Sequence, residues 1–370
     1  MRNFTILLLG AVLLMTMGSW GFYAHKMINR AAVFTLPADM ASFYKQHIDY
    51  ISDHAVDPDK KRYADPEEAH KHFIDLDRYG ESPLDSLPER WTNAIRRYPE
   101  DTLKANGTVP WQIYSSYWNL VDAFKSKNSL RILKTSTALG HYIADAHSPL
   151  HTTQNYNGGL SDQEGIHAFW ESRLPELYAK GYSFFVGGAQ YIDKPLQRAW
   201  QIVGHTYSLV DSVLLIEAQL NRKFAQNRKY VFERRNKLII RTYSKTYSKA
   251  YHKALNGMVE KQMRASVILI GSFWYTAWVD AGQPNLQQLS GTAFIPDSSA
   301  HPLHTQSRPT GVSGGAPHQR LHHYAPKPYK KPFRLYSHGT MLWDDHRHAF
   351  HPDNYPHPLS ARHEPGYSFS

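Results

Sequence analysis

The chain contains no cysteine among its 370 residues, which excludes disulfides, lipid-modified cysteines and thiolate metal sites. Any metal it binds must be held by histidine, aspartate, glutamate and backbone groups. Strand-like alternation of polar and apolar residues is scarce, which argues against a fold built on sheets. Long hydrophobic runs are missing too. The longest, Phe4 to Met15, is about a dozen residues, short of the ~20 that span a bilayer as a helix.

What the chain has in quantity is histidine, 22 residues of it, together with 42 lysines and arginines against 32 acids, a formal charge of +10. The basic residues are scattered, so the charge suggests phosphate or an anionic surface as a partner and says little more. Apolar residues make up 42%, enough to bury a core in one large domain or two.

Met-Arg-Asn, the apolar Phe4–Met15 and the small Gly18 and Ser19 have the layout of a secretory signal peptide. Residues 1–19 are therefore expected to be removed and the protein to be secreted or periplasmic. Met17 is larger than the residue preferred before a cut, and an uncleaved anchor is the competing reading. After about Asn285 the composition turns to Pro, His, Tyr, Ser and Arg with few aliphatic residues. No core can be built from it, so residues 285–370 are read as a largely disordered basic tail that could touch anionic surfaces.

Between these ends, apolar residues return every three or four positions. They predict a long helix from Lys194 to Leu220, further helices through Val231 to Ala254, and a last one from Met258 to Asp280, stopped by Gly282-Gln-Pro284. Trp111, Tyr114, Tyr117 and Trp118 suit core packing on an amphipathic helix better than base stacking. The expected fold is all-α, a single multi-helix domain over residues 20–284 with no internal repeat.

The chemistry concentrates between Gly140 and Glu171. Leu130, Leu133, Leu139, Tyr142, Ile143 and Ala146 recur at roughly helical spacing, so His141 and Asp145 are four apart on one face. Pro149 ends that helix and swings His151 round. His167 and Glu171 repeat the four-residue offset on a second helical run. One such pair alone reads as a surface contact, whereas two pairs plus His151 in so short a stretch suit zinc.

Three other stretches supply candidates. Trp20-Gly-Phe-Tyr-Ala-His25 opens a helical run to Leu36-Pro37. Cleavage before Trp20 would free an amine of pKa near 8, able to chelate a metal together with the Trp20 carbonyl. Otherwise Trp20 is an aromatic plug and His25 a satisfied polar residue. From Tyr50 to Tyr79, acids and imidazoles crowd in S-D-H-A-V-D-P-D-K-K-R and H-K-H-F-I-D-L-D. Asp57 and His72 are the preferred ligands, with Asp53, Asp59 and His70 as rivals that spacing does not exclude. His72-Phe-Ile-Asp75 alternates like a short extended segment. Asn155-Tyr-Asn-Gly-Gly159 reads as a flexible loop at the rim of a cleft.

Taken in order, W-G-xxx-H, D-xx-K, H-F-I-D, H-xxx-D-xxxxx-H and H-xxx-E resemble the zinc-dependent phospholipase C and single-strand-specific nuclease superfamily, over about Trp20 to Pro284. The resemblance implies a helical fold with three zincs at the bottom of a cleft. Asp57, His72, His141 and Asp145 would hold one, the Trp20 amine and carbonyl with His25 its neighbour, and His151, His167 and Glu171 the third, with Asp145 bridging the first two. It also favours Asp57 over Asp53 through its spacing to His72, and gives Asp57 the orientation of the attacking water. Lys60 falls where nucleases have an arginine that steadies the transition state, without the two-pronged grip. Phe73 and Asp75 fall where nucleases stack and hydrogen-bond a base.

Glu171 leans toward the phospholipase branch, the missing cysteines depart from eukaryotic nucleases, and the tail has no counterpart. Three dications less three carboxylates would leave a positive pit that attracts a phosphodiester. Such a site lowers the pKa of water from about 15.7 toward neutrality for in-line attack on phosphorus. The implied activity is an exported zinc-dependent phosphodiester hydrolase acting on phospholipid head groups or single-stranded nucleic acid, with no stable protein partner. The alternative is a non-catalytic exported zinc-binding or surface-interaction protein.

Overall fold

The computed structural model describes residues 21–235 and 238–289; Trp20, the expected signal peptide and the tail from 290 lie outside the described residues. Eight helices of nine residues or more are found among the described residues, joined by shorter helical turns. They are α1 (Gly21–Ala32), α2 (Ala38–Gln46), α3 (Val109–Lys125), α4 (Ser129–Ala146), α5 (Pro195–Tyr207), α6 (Val210–Lys223), α7 (Lys245–Ala254) and α8 (Met258–Asp280). The all-α expectation describes this body well.

Local signals account for many of the helix boundaries. Pro110 and Pro195 stand in the first turns of α3 and α5, where a missing N–H costs nothing. The Asn128 side chain accepts from the Arg131 N–H at 2.9 Å and starts α4, and Ser244 does the same for Tyr247 at the start of α7. Each such cap contributes about 1 kcal/mol.

The long α8 is the hub, packed against α1, α3 and α4. Trp274 on α8 is fully buried, stacks on Tyr44 of α2 at 5.1 Å and donates its indole N–H to the Ser136 carbonyl of α4. Such a ring pair is worth about 0.5–1.5 kcal/mol beyond the area it buries. Close approach of α1 and α8 depends on Gly271, where a Cβ would lie 1.8 Å from Thr35 Oγ1. This packing carries α1 and α4 side by side, which is what places their histidines together.

Two expectations are corrected. Lys194 to Leu220 is not one helix: it breaks at Ser208-Leu209 into α5 and α6. There the Ser208 hydroxyl donates to the His205 carbonyl at 2.6 Å, a local bond that competes with the helix ladder. The run from Val231 is not helical until Lys245. Residues Tyr230–Arg235 (β1) and Leu238–Tyr243 (β2) pair as an antiparallel hairpin, Tyr230 opposite Tyr243 and Arg235 opposite Leu238, as β-branched and aromatic residues favour. Past α8, Leu286 is buried, and the Trp278 indole donates to the Pro284 carbonyl.

Candidate metal centre

α4 presents His141 and Asp145 one turn apart, both fully buried. His141 Nδ1 is tied to the Ala55 carbonyl at 2.8 Å, which turns Nε2 toward Asp145 Oδ2 at 3.2 Å. The other oxygen of that carboxylate, Oδ1, lies 3.3 Å from His25 Nε2 of α1. His72 reaches the same spot from the turn His70–His72, its Nδ1 2.9 Å from Asp145 Oδ2 and 3.0 Å from His141 Nε2. One buried carboxylate thus faces three imidazoles.

The backbone next to His72 holds that ring in place. It extends from Phe73, and the N–H groups of Ile74 and Leu76 donate to the carbonyls of His151 and Thr152. In return His151 Nδ1 is bonded to the His72 carbonyl at 2.6 Å. His151 sits in the short turn Pro149–His151 that comes after α4. Its Nε2 lies 3.1 Å from Glu171 Oε2, and His167 Nε2 lies 3.0 Å from both groups. Glu171 stands in a π-helical turn, Phe169–Arg173, a widened geometry common at functional sites.

The acid from the second segment is Asp59. It is 1% exposed, with Oδ1 3.8 Å from both His72 Nδ1 and His141 Nε2, and neither of its oxygens takes a hydrogen bond. Asp57, the expected ligand, is half-exposed and turned away, its oxygens bonded to His54 Nδ1 and Lys60 Nζ. The reason is helical geometry: two positions along a turn differ by about 200°, so with Asp59 inward Asp57 must face out. Lys60 lies with Asp57 at the surface.

Three groups of donors result: His25, His141 and Asp145; Asp59, His72 and His141; and His151, His167 and Glu171. Within each group the donor atoms lie within 4.8 Å of one another. Zinc bonds of about 2.0–2.2 Å at tetrahedral angles put neighbouring donors roughly 3.3 Å apart, so the groups fit a metal by distance and by donor type. Two buried carboxylate edges support the fit: both oxygens of Asp59 and Glu171 Oε1 have no hydrogen-bond partner. Leaving such atoms unmatched costs several kcal/mol unless a cation meets them.

Electrostatics point the same way. Burial pushes His25 and His72 down to about 4, which leaves a lone pair for a metal. It acts likewise on His141 and His151, but Asp145, with Asp59 for one and Glu171 for the other, lifts both to about 9. Burial works to raise Asp145 and Glu171, yet the facing imidazoles hold Asp145 well below the usual range and Glu171 at about 2. Asp59 is raised to about 7, mainly by burial. Protons on His141 and His151 therefore balance the carboxylates, and a divalent ion would take their place.

The remaining expected residues lie around this centre. Asp53 is an exposed partner of Lys26, and His70 Nδ1 is 2.8 Å from Thr108 Oγ1, so neither rival joins it. Phe73 is half-buried, with Gly107 against its backbone: a Cβ there would lie 2.2 Å from the Phe73 carbonyl. Burial, assisted by Asp77, lifts Asp75 to about 7. Trp20 lies outside the described residues.

Two residues escaped the sequence reading. Glu68, 1% exposed, lies 3.9 Å from His72 Nε2 and takes bonds from Lys61, Lys71 and the Tyr142 hydroxyl. Carboxylates placed behind an imidazole fix its orientation, and the four-residue offset from Glu68 to His72 was the available signal. Arg62 is the other. Burial raises Asp59 and lowers His72, and the Arg62 charge opposes the first shift and adds a small part to the second.

A family model described as zinc dependent phospholipase C matches residues 24–234, more than half of the chain. No curated protein matches it.

Proposed function

Since the chain belongs to the zinc-dependent phospholipase C family, we propose that it is an exported hydrolase of phosphodiesters, with phospholipid head-group esters as substrate and three zincs per chain. The observation that carries this reading is the convergence of five imidazoles and three carboxylates, from four distant parts of the chain, into three groups, two of which share His141. Zinc, when bound, would supply Lewis acidity and a water acidic enough to act as nucleophile near neutral pH.

The protein's own contributions come from its side chains. Asp145 holds His25, His72 and His141 in register through its two oxygens. Ala55 and the His72 carbonyl fix the ring orientations of His141 and His151, so the donors need little rearrangement. With Lys60 bonded to Asp57 on the outer face, Arg62, three residues on from Asp59, is the basic side chain whose planar fork would suit two phosphate oxygens. Asp57, on the outer face with Lys60, is left without a part in orienting water, and Asp59 is the acid placed to do so.

Glu171 in place of the aspartate usual in nucleases, together with the family match, favours phospholipid. Nucleic acid stays as the second reading because of the extended Phe73 beside His72, where an aromatic could stack on a base. The test is to assay the mature protein on a chromogenic phosphocholine ester and on single-stranded DNA, with chelator and after zinc is restored. Ester hydrolysis that chelator abolishes and zinc restores is the expected result. A zinc-loaded protein inert on both substrates would instead make it a non-catalytic zinc-binding protein.

A further inference from the structure

The β1–β2 hairpin has two unlike faces. Inward, Glu233 meets Arg173 through paired bonds of 2.9 and 2.5 Å, and Arg235 meets Glu176 in the same way. The Arg173 Nε also donates to the Tyr243 carbonyl at 3.1 Å, and Tyr243 stacks on Phe169 at 3.8 Å. Arg173 and Phe169 bound the π-helical turn that carries Glu171. Bidentate pairs of this kind fix geometry as well as adding energy, so the hairpin is clamped to the ligand-bearing segment.

Outward, the hairpin is apolar and basic together. Phe232 is 73% exposed and Ile239 67%, and the register sets Phe232 opposite Arg241 and Arg234 opposite Ile239. The only acid on either strand, Glu233, is spent on Arg173, so the outer face carries cations alone. Large apolar side chains held in water at no evident structural gain mark a surface that meets something. Apolar side chains alternating with arginines match the acyl and headgroup layers of an anionic lipid surface. A flat protein partner would not require the cations, and a nucleic acid would not require Phe232 and Ile239.

We propose that the β1–β2 hairpin docks the protein on anionic phospholipid surfaces, inserting Phe232 and Ile239 while Arg234 and Arg241 meet the headgroups, and so brings the segment of Glu171 to the membrane. The proposal deepens the phospholipid reading given above, and its binding step can be measured without turnover.

The experiment uses the mature chain in chelator, sedimented with phosphatidylcholine vesicles with or without roughly 30 mol% phosphatidylglycerol. Binding to the mixed vesicles is expected. It should fall roughly tenfold or more in a Phe232→Ser, Ile239→Ser double variant and roughly fivefold in Arg234→Glu. Lys134→Glu, an exposed cation on α4, should leave it unchanged. With zinc restored, hydrolysis of a monomeric phosphocholine ester should be the same in all of them, which shows that the variants fold. Equal loss in Lys134→Glu, no loss in the double variant, a dimer that the double variant converts to monomer, or binding of single-stranded DNA in place of vesicles would each overturn the proposal. Ester hydrolysis without vesicle binding removes the docking alone, whereas vesicle binding without any hydrolysis removes the enzyme reading and leaves the docking.

Discussion

His25 and His141 stack ring on ring, their centroids 4.1 Å apart and their planes 19° apart, across the contact between α1 and α4. That approach is set by Gly140 and Asn29. A Cβ at Gly140 would lie 2.1 Å from Asn29 Oδ1, and Asn29 is fully buried with its amide donating to the His25 carbonyl.

Gly140→Ala accordingly puts two effects in opposition. Helix propensity would favour alanine by about 1 kcal/mol, while overpacking a filled interface costs roughly 1–3 kcal/mol. Asn29 cannot swing aside without giving up its bond to the carbonyl of His25, so the clash should win. A melting temperature lower by a few degrees is expected for a chain of this size, with weaker metal retention. An unchanged or higher value would mean that Asn29 relaxes freely and that the stack does not depend on the glycine.

The two acids of the Asp57–Lys61 turn should separate cleanly. Asp59→Asn removes a buried donor 3.8 Å from two imidazoles and is expected to lower bound zinc from three per chain to two, with activity falling by roughly 10²-fold or more as for loss of a charge-stabilising group. Asp57→Asn, which changes an exposed contact with Lys60 and His54, should keep all three ions and most of the activity. Elemental analysis of the two purified variants decides it, and loss of metal in the Asp57 variant alone would reverse the assignment.

The contrast between those acids shows what could be read from the chain alone. Ligands at a four-residue offset on a helix announce themselves, and His141 with Asp145 and His167 with Glu171 do meet as their spacing predicts. So does the full extent of α8, Met258–Asp280, where a long apolar pattern ends at Gly282 and Pro284. In D-P-D, by contrast, the residues are chemically alike, and only the rotation of one short turn decides which faces inward. The hairpin was missed because Leu-Ile-Ile-Arg-Thr-Tyr carries no Asn-Gly or Asp-Gly turn dipeptide. The break between α5 and α6 has neither glycine nor proline to mark it.

Basic side chains near the centre make a separate test. Arg62 lies three residues on from the buried Asp59, whereas Lys60 is turned outward to Asp57. Arg62→Ala is therefore expected to lower kcat on the phosphocholine ester by roughly 10²-fold, with zinc content unchanged. Arg62→Lys should recover only part of it, because an ammonium lacks the fork. Lys60→Ala should lie within a few-fold of the parent. Steady-state kinetics on the three variants would refute the assignment if Lys60→Ala proved the more damaging.

The last prediction concerns the start of the mature chain. The group of His25, His141 and Asp145 shares His141 with the group of Asp59 and His72, and Asp145 also faces His72, so His25 is the one side chain it has to itself. A complete zinc shell there requires donors from elsewhere. Gly21, the first residue of α1, packs against Ser172, since a Cβ on it would lie 2.6 Å from the Ser172 hydroxyl. The backbone just ahead of His25 thus runs beside the neighbour of Glu171. If the mature chain starts at Trp20, its amine, with a pKa near 8, could release its proton to a metal at modest cost. Placing one alanine ahead of Trp20 should move that amine away and reduce bound zinc from three ions to two, while the His151, His167 and Glu171 group stays filled. Mass spectrometry of the mature protein first establishes whether Trp20 is the terminus, and zinc content of the extended form then decides. Three ions retained in the extended form would rule out the terminal chelate and leave the second site to side chains alone.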